Sequence, residues 1–416
     1  MTETVRGARA STRSRSAHRP RPSAKRTPRA TQRPAPKPRV RPRNAPRSKT
    51  SASTTAAPRA TPFVVLAGLV VCLSLLGLTM VLSASSVSSL TSTGSPWGEF
   101  ISQSVWLGLG AVACVFFALF DHRWLKKVTV PVLLASMALL VLVLLPWFGV
   151  NVNGAQRWLR FGPVQFQPSE LAKLALILFA ADNLARSKTV DVRRSLRPIG
   201  AVLFIYGVLI MWQPNLGTAA IIFAVGIAML FASGIRLWMI VAMGAVSGAA
   251  AGALAYFTPF RRRRLLAFRD PWSDPLGDTW QTLNSLVSVA NGGVTGVGIG
   301  ESRGKYGYLP EAHNDFVFAV TAEEFGFVGA LTVVLGFVVF GFTALVVARR
   351  ADRFGSLLVV GITVWILFQA FVNIGGVLGV LPITGVPLPF MSAGGTSLVT
   401  TLAGVGIILN VARGTK

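Results

Sequence analysis

Charge is absent from stretch after stretch of this chain. Many windows of twenty residues contain no Asp, Glu, Lys or Arg, and about twenty apolar residues is what a helix needs to cross the hydrocarbon of a bilayer. Only 13% of the residues are charged, while 52% are hydrophobic; a soluble globule carries roughly 25% charged residues. In lipid every backbone polar group must be satisfied within a helix or a closed barrel. The expected fold is therefore all-α, a polytopic membrane protein. About ten spans are expected, near 62–84, 103–121, 128–148, 168–184, 198–213, 215–233, 237–257, 316–348, 356–380 and 391–412. The eighth is long enough to tilt or to extend beyond the bilayer.

The charge that is present is sorted. Residues 1–60 hold seventeen Lys and Arg against one acid, Glu3. Their Pro-, Ser-, Thr- and Ala-rich composition cannot bury a core and reads as a disordered tail ahead of a membrane domain at 61–416. Basic arms bind nucleic acid or anionic lipid. This one has no aromatics and leads straight into a span, so it reads as a cytoplasmic tail that fixes topology and touches membrane lipid, with no nucleic-acid partner. Its first apolar run starts too late, and runs too long, for a signal peptide. Cys72 and Cys114 lie in apolar spans at no metal or disulfide spacing and read as packing residues.

Lys and Arg in the short loops fall on alternate sides. Arg123, Lys126 and Lys127, then Arg186 to Arg197, Arg236, Arg349 to Arg353, and Arg413 with Lys416 share one side. This puts both termini in the cytoplasm and the segments 149–167, 258–315 and 381–390 outside. The outer segment 258–315 nevertheless carries seven Lys and Arg, including Arg261 to Arg264. Either a long translocated loop ignores the charge rule, or these cations meet an anion at the outer membrane surface.

The acids are hoarded. Eight of fifteen lie between Arg261 and Glu324. Asp274 sits between Ser273 and Pro275, with Pro271 upstream, and two prolines in five residues make a rigid turn. A carboxylate held that way suits a general base; an ordinary turn Asp is the plain alternative, and Asp270 and Asp278 share both readings. Trp280, Leu283, Leu286, Val287 and Ala290 recur at helical spacing, with Gln281, Asn284, Ser285 and Ser288 opposite, as in a short amphipathic helix on or in the membrane. The glycines from Gly292 to Gly304 suit tight turns better than a nucleotide site. Glu170 and Lys173, at i, i+3, share a helix face at the start of a span, where ionisable groups pair or face a cavity. Glu323 and Glu324 point about 100° apart, so they cannot both face one cavity. His313, between Glu311 and Asp315, is either a metal ligand or a satisfied loop histidine.

Several long motifs in order carry a resemblance. Asn153 to Leu159 (NGAQRWL), Gln167 to Lys173 (QPSELAK), Gln213 to Thr218 (QPNLGT), Asp270 to Gly277, Tyr308 to Phe318 with Glu323-Glu324, and Pro389 to Ser397 are similar to the SEDS family of bacterial cell-envelope polymerases. Tyr308 to Phe316 (YLPEAHNDF) resembles its division branch, FtsW-like, with the RodA-like elongation branch the near alternative; the basic tail suits members of actinobacterial type. The resemblance implies a ten-span peptidoglycan glycosyltransferase of the cytoplasmic membrane, enriched at the septum. Its substrate would be lipid II, and its partners a class B penicillin-binding protein and other divisome membrane proteins. It maps the family's essential Asp onto Asp274, as general base. It implies a divalent cation, Mg or Mn, and no organic cofactor. Arg157, Lys173, the arginines from Arg261 and Arg262 onward, or the cation would hold the pyrophosphate, with Glu170 orienting Lys173. His313, Asp315, Glu323 and Ser397 complete the candidate substrate site. The departures are Asn215 where the family has Asp, Thr384 where some members have Lys, and Ser392-Ala393-Gly394-Gly395 for Ser-Tyr-Gly-Gly. Ten spans with intramembrane Glu and Lys also describe a lipid flippase or other transporter, and a scaffold that recruits a transpeptidase is a third class.

The loop charges make a checkable statement about sidedness. With Cys72 and Cys114 replaced by Ser, a Ser273→Cys variant should react with an impermeant thiol reagent on intact cells. Labelling only after permeabilisation would invert the topology.

Overall fold

The computed structural model describes residues 61–152, 155–162, 164–186, 196–257, 262, 268–277 and 279–414. The basic tail at 1–60 lies outside these, as do Arg261 and Asp278. Each of the ten apolar segments expected above contains a helix, the third ending at Leu142 and the tenth beginning at Thr396. In chain order these are α1 (Thr61–Thr93), α2 (Gly98–Leu119), α3 (Leu125–Leu142), α4 (Pro168–Arg186), α5 (Arg197–Trp212), α6 (Leu216–Ala232) and α7 (Leu237–Phe257). After a short α8 (Trp280–Asn291) come α9 (Val317–Arg350), α10 (Arg353–Val377) and α11 (Thr396–Gly414). Six of them (α1, α2, α3, α9, α10 and α11) are long and apolar enough to cross a membrane, and α5, α6 and part of α7 form shorter apolar helices. α4 joins neither group because it carries Glu170, Lys173, Asp182 and Arg186. It is buried along almost its whole length, as are α10 and α11. These three are the inner helices, and α2 and α7 turn apolar side chains outward, where lipid would cover them.

Local chemistry sets several ends. Asn215 caps α6, its side-chain oxygen accepting from the Thr218 N–H at 3.2 Å. An amide does this as well as a carboxylate, so the cap tolerates Asn in place of Asp. Asp352 caps α10 through the Gly355 N–H at 3.3 Å.

Two features differ from the sequence reading. The segment 149–167 is a three-stranded antiparallel sheet, β1 (Gly149–Val152), β2 (Ala155–Phe161) and β3 (Val164–Phe166), in the order β1-β2-β3. β2 pairs Trp158 with Val150 and Gln156 with Asn151, so Arg157 is the extra residue of a bulge. The second difference is in α9. It is not one continuous rod: it is broken at Gly326, whose φ of 67° and ψ of −164° are non-helical. The piece after the break, 327–350, spans about 36 Å, one bilayer crossing.

The break leaves helical N–H and C=O groups without partners, and the Gly-rich segment after α8 takes them. The Val297 and Gly298 N–H groups donate to the Glu323 and Glu324 carbonyls at 3.0 and 3.2 Å. Phe327 and Val328 N–H groups donate back to the Gly293 and Val294 carbonyls at 2.9 and 3.2 Å. A side chain on Gly326 would run into the backbone of Val294 and Gly296. Gly293, Gly296, Gly298 and Gly300 have the positive φ that the turns expected from sequence require, and Gly292 and Gly296 also permit the close approach to the backbone of α9.

α8 is the amphipathic helix expected, and its burial fixes which way it faces. Thr282, Ser285 and Ser288 are buried against the protein, with Ser285 Oγ donating to the Val377 carbonyl at 2.7 Å. Val287 and Ala290 are exposed and Leu283 and Leu286 half-buried, on the side a bilayer would cover.

Gly326→Ala adds a methyl group at a positive φ against backbone that cannot yield. We expect it to cost at least about 1 kcal/mol from the backbone conformation alone, and more from the collision. A thermal unfolding midpoint in detergent within error of wild type would show that the break relaxes freely.

Candidate functional site

Three segments that are far apart in sequence meet at one end of the bundle: the small sheet, the turn at 309–315 and the loop at 381–390. The bulge turns Arg157 away from its strand, toward the end of α5. Its Nε donates to the Gln213 carbonyl at 3.1 Å and its Nη2 to the Pro214 carbonyl at 2.5 Å. Gly385, at φ 70°, lies beside both Arg157 and Asp315: a methyl group there would sit 3.6 Å from Asp315 Oδ2 and 4.0 Å from Arg157 Nη1. Asn373 of α10 ties the last two segments together, donating from Nδ2 to the Asp315 and Val386 carbonyls at 2.8 Å each.

One helical turn below lies the buried pair. Lys173 Nζ is 2.8 Å from Glu170 Oε1, both side chains almost wholly buried, and it donates to Gln369 Oε1 at 2.7 Å. It also lies 4.9 Å from the centre of the Trp365 ring, whose Nε1 donates to the same Gln369 oxygen at 2.9 Å. The amide nitrogen of Gln369 then donates to the Pro387 carbonyl at 2.9 Å. A lysine has three N–H donors. Here the ammonium is enclosed by Glu170, Gln369 and the Trp365 face, and it is placed inside the protein rather than on a surface a ligand reaches. Glu170 reaches α11 as well, accepting from Thr400 Oγ1 at 3.5 Å.

The other candidates separate into tethers and open groups. Glu323 accepts from Ser302 Oγ at 2.6 Å and from the Arg303 and Gly304 N–H groups at 3.1 and 3.3 Å, holding the Gly-rich segment. Glu324 turns the other way, as adjacent helical residues must, and takes a hydrogen bond from Ser83 of α1 at 2.5 Å. The His313 carbonyl accepts from the Ala393 N–H at 3.0 Å, joining the turn to the loop before α11. Ser397 is buried in the first turn of α11. Arg262 is exposed, stacked 5.4 Å from the Tyr256 ring.

Asp274 is exposed, on the turn its prolines predicted. Its carbonyl accepts from Gly277 N–H at 3.1 Å and from Thr279 Oγ1 at 2.6 Å, so the turn closes on itself. Its carboxylate lies over Gly277, where any added methyl group would strike it. Asp270 is spent locally, capping the Trp272 N–H at 3.1 Å. Trp272 and Leu276 flank Asp274 and are strongly exposed, at 71% and 86%.

No three His, Cys, Asp or Glu side chains converge on a metal position among the described residues.

The family model for FtsW, RodA and SpoVE, described as cell cycle protein, matches residues 64–416. The chain belongs to this family. A probable peptidoglycan glycosyltransferase FtsW of Nitrosococcus halophilus is 41% identical over 356 residues, covering 84% of this chain and 92% of that protein. The stage V sporulation protein E of Bacillus subtilis is 36% identical, covering 85% and 97%. Among solved structures, a chain from a peptidoglycan synthase complex, described as coordinating polymerisation and crosslinking, superposes with a TM-score of 0.69 at 31% identity, covering 84% of this chain and 97% of that one. Family and apolar helices together make this an integral membrane protein.

The buried pair gives a sharp test. Removing one partner of a buried ion pair strands the other and typically costs about 3–5 kcal/mol. Lys173→Met should therefore unfold far more readily than wild type. Glu170→Gln/Lys173→Met should recover most of that loss, because Trp365 still donates to Gln369 and Gln369 still holds Pro387. If the pair only positions the loop, glycan synthesis should recover with the fold. A double variant that folds and stays inactive would give Lys173 a direct role at substrate.

Proposed function

We propose that this chain is a peptidoglycan glycosyltransferase that polymerises lipid II into glycan strands at the outer face of the cytoplasmic membrane during septal wall synthesis. The activity is supported by the family match over 64–416 and by relatives that bear that name. The observation that carries the assignment of roles is Asp274: a carboxylate on a closed, proline-braced turn, open to the outside of the bundle.

The reaction joins two sugars. An acceptor hydroxyl oxygen attacks C1 of the donor sugar, the C1–O bond to phosphate breaks, and undecaprenyl pyrophosphate leaves with the electron pair. The hydroxyl proton goes to Asp274. Displacement of a good leaving group needs one base and no covalent intermediate. Arg157 beside Gly385, and the arginines of 261–264, are the guanidiniums offered to the pyrophosphate. A magnesium-class ion binds through one or two carboxylates together with substrate phosphates, so such an ion would arrive with lipid II. Lys173 and Glu170 act one layer deeper, positioning the 386–387 loop through Gln369.

A class B penicillin-binding protein is the natural partner, since a structural relative belongs to a complex that coordinates polymerisation with crosslinking. The exposed Trp272 and Leu276 offer that partner, or the membrane surface, an apolar handle next to the base. The break in α9 is the kind of feature transporters use. Here its backbone groups are paired by residues 293–298, which favours a structural joint over an ion site.

Asp274→Asn keeps the shape and removes the proton acceptor. Polymerisation of labelled lipid II by the purified chain with its partner should fall by roughly 100-fold to 10,000-fold, with folding and partner binding retained. Near-normal polymer would remove Asp274 as base and revive the flippase and scaffold readings. Gly277→Ala displaces the carboxylate without altering its chemistry, and a shift of that kind should cost roughly 100-fold in the same assay.

A further inference from the structure

At the opposite end of the bundle from the Asp274 turn, on the side of the basic short loops, lies a cavity of about 350 Å³, room for roughly a dozen waters. It is framed by the last turns of α2, α9 and α11 and by the start of α10. Its floor is rigid. Buried Asn410 donates to the Ala118 and Phe120 carbonyls at 3.0 and 2.7 Å, so its oxygen is the acceptor. That oxygen takes the His122 N–H at 3.2 Å and His122 Nδ1 at 2.8 Å.

Its walls are cationic. Arg123, Arg350 and Arg413 all line it, and none of the three pairs with a carboxylate among the described residues. Two acids line it as well, Asp121 and Asp352, and each also holds a neighbouring protein group. Asp121 accepts from the Arg123 backbone N–H at 2.9 Å; Asp352 caps α10 and approaches His122 Nε2 at 3.4 Å. Three guanidiniums against two carboxylates leave the cavity net positive, which suits a phosphate or carboxylate.

What adjoins the cavity decides between anions. Phe116 and Phe120 stack at 5.2 Å, and Trp124 meets Phe120 edge-on at 5.6 Å. All three are about half exposed on the outer face of the bundle, along with Leu119 of the cavity rim. This aromatic ladder runs from the arginines toward the apolar middle of α2. A soluble phosphate or an acidic peptide has no use for it. An amphiphile with an anionic head and acyl chains fits both parts.

We propose that this cavity binds the phosphodiester headgroup of an anionic phospholipid, whose acyl chains lie along Phe116, Phe120 and Trp124. The site uses no residue of the basic tail, and it does not depend on the polymerase reading. A bound headgroup, with its single negative charge, would balance the net charge of three arginines and two aspartates and brace the ends of α2, α9, α10 and α11 against one another.

The test uses the full chain in phosphatidylcholine vesicles doped with a photoactivatable phosphatidylglycerol, followed by peptide mapping of the crosslinks. Mapping localises the label, so lipid drawn to the tail does not confuse the result. We expect labelling concentrated within 116–124 and 410–414, and no such concentration with a phosphatidylcholine probe carrying the same reactive chain. An arginine near a headgroup is worth about fivefold in affinity. The Arg123→Gln/Arg350→Gln/Arg413→Gln variant should therefore weaken binding by roughly 100-fold and abolish the local label, while Arg236→Gln should leave it unchanged. Should the triple variant fold poorly, Arg413→Gln alone, exposed in the last turn of α11, should still lower the label about fivefold. Equal labelling by the two probes, or a triple variant that labels like wild type, would overturn the proposal. So would suppression of the label by inorganic phosphate or an oligo-glutamate peptide, which would give the arginines to a soluble anion or an acidic partner.

Discussion

The ammonium of Lys173 is the point from which one end of this molecule hangs. A charge at that depth is tolerable only if it is paired and hydrogen-bonded, and three elements meet that demand: Glu170 on its own helix, then Gln369 and Trp365 on α10. Gln369 has only one oxygen and one amide nitrogen to give. Lys173 and Trp365 occupy the oxygen, so the nitrogen is left to point at the Pro387 carbonyl. A turn further along, Asn373 repeats the arrangement with Asp315 and Val386. The loop before α11 is thus hung from α10 by two amides spaced i, i+4, and one of them is aimed by the buried cation.

The join between α8, the Gly-rich segment and α9 follows a different logic. Breaking a helix inside a bundle exposes polar backbone to an environment without water, and each unsatisfied group costs several kcal/mol in hydrocarbon. The chain supplies a second piece of backbone instead of side chains, which works only where both strands lack a Cβ at the crossing. Glu323 then fastens the far end of the segment through Ser302 and two N–H groups. The long loop is consequently welded to α9 at the place where α9 changes direction.

Much of this was legible in the sequence. Uncharged runs located the long helices other than α4, which carries four charged residues, the sorting of acids singled out 270–324, and the prolines around Asp274 announced a rigid turn. The i, i+3 spacing of Glu170 and Lys173 announced their pairing. What stayed hidden was of two kinds. The small sheet has strands of four, seven and three residues, too short for alternation to stand out, so Arg157 was seen as a motif residue and its bulge was not. The break at Gly326 rests on one glycine in an apolar run, and its cause lies thirty residues upstream in glycines that read as turns. The convergence of Arg157, Asp315 and Gly385 is likewise a long-range fact, written in packing rather than in any local pattern.

The orientation of α8 has a practical side. In a soluble protein a helix buries its apolar stripe and wets its hydroxyls; here Thr282, Ser285 and Ser288 are inside and Val287 is out. α8 is thus an inside-out element, with the Val377 carbonyl on one face and an apolar side that a bilayer would cover on the other. Cut free and placed in water, it would bare its oily side, lose the partner of Ser285 and leave the Gly-rich strand with no broken helix to mend. The turn that carries Asp274 closes on itself but leads straight into α8, so an excised loop would keep the turn and lose the seating of the helix that presents it.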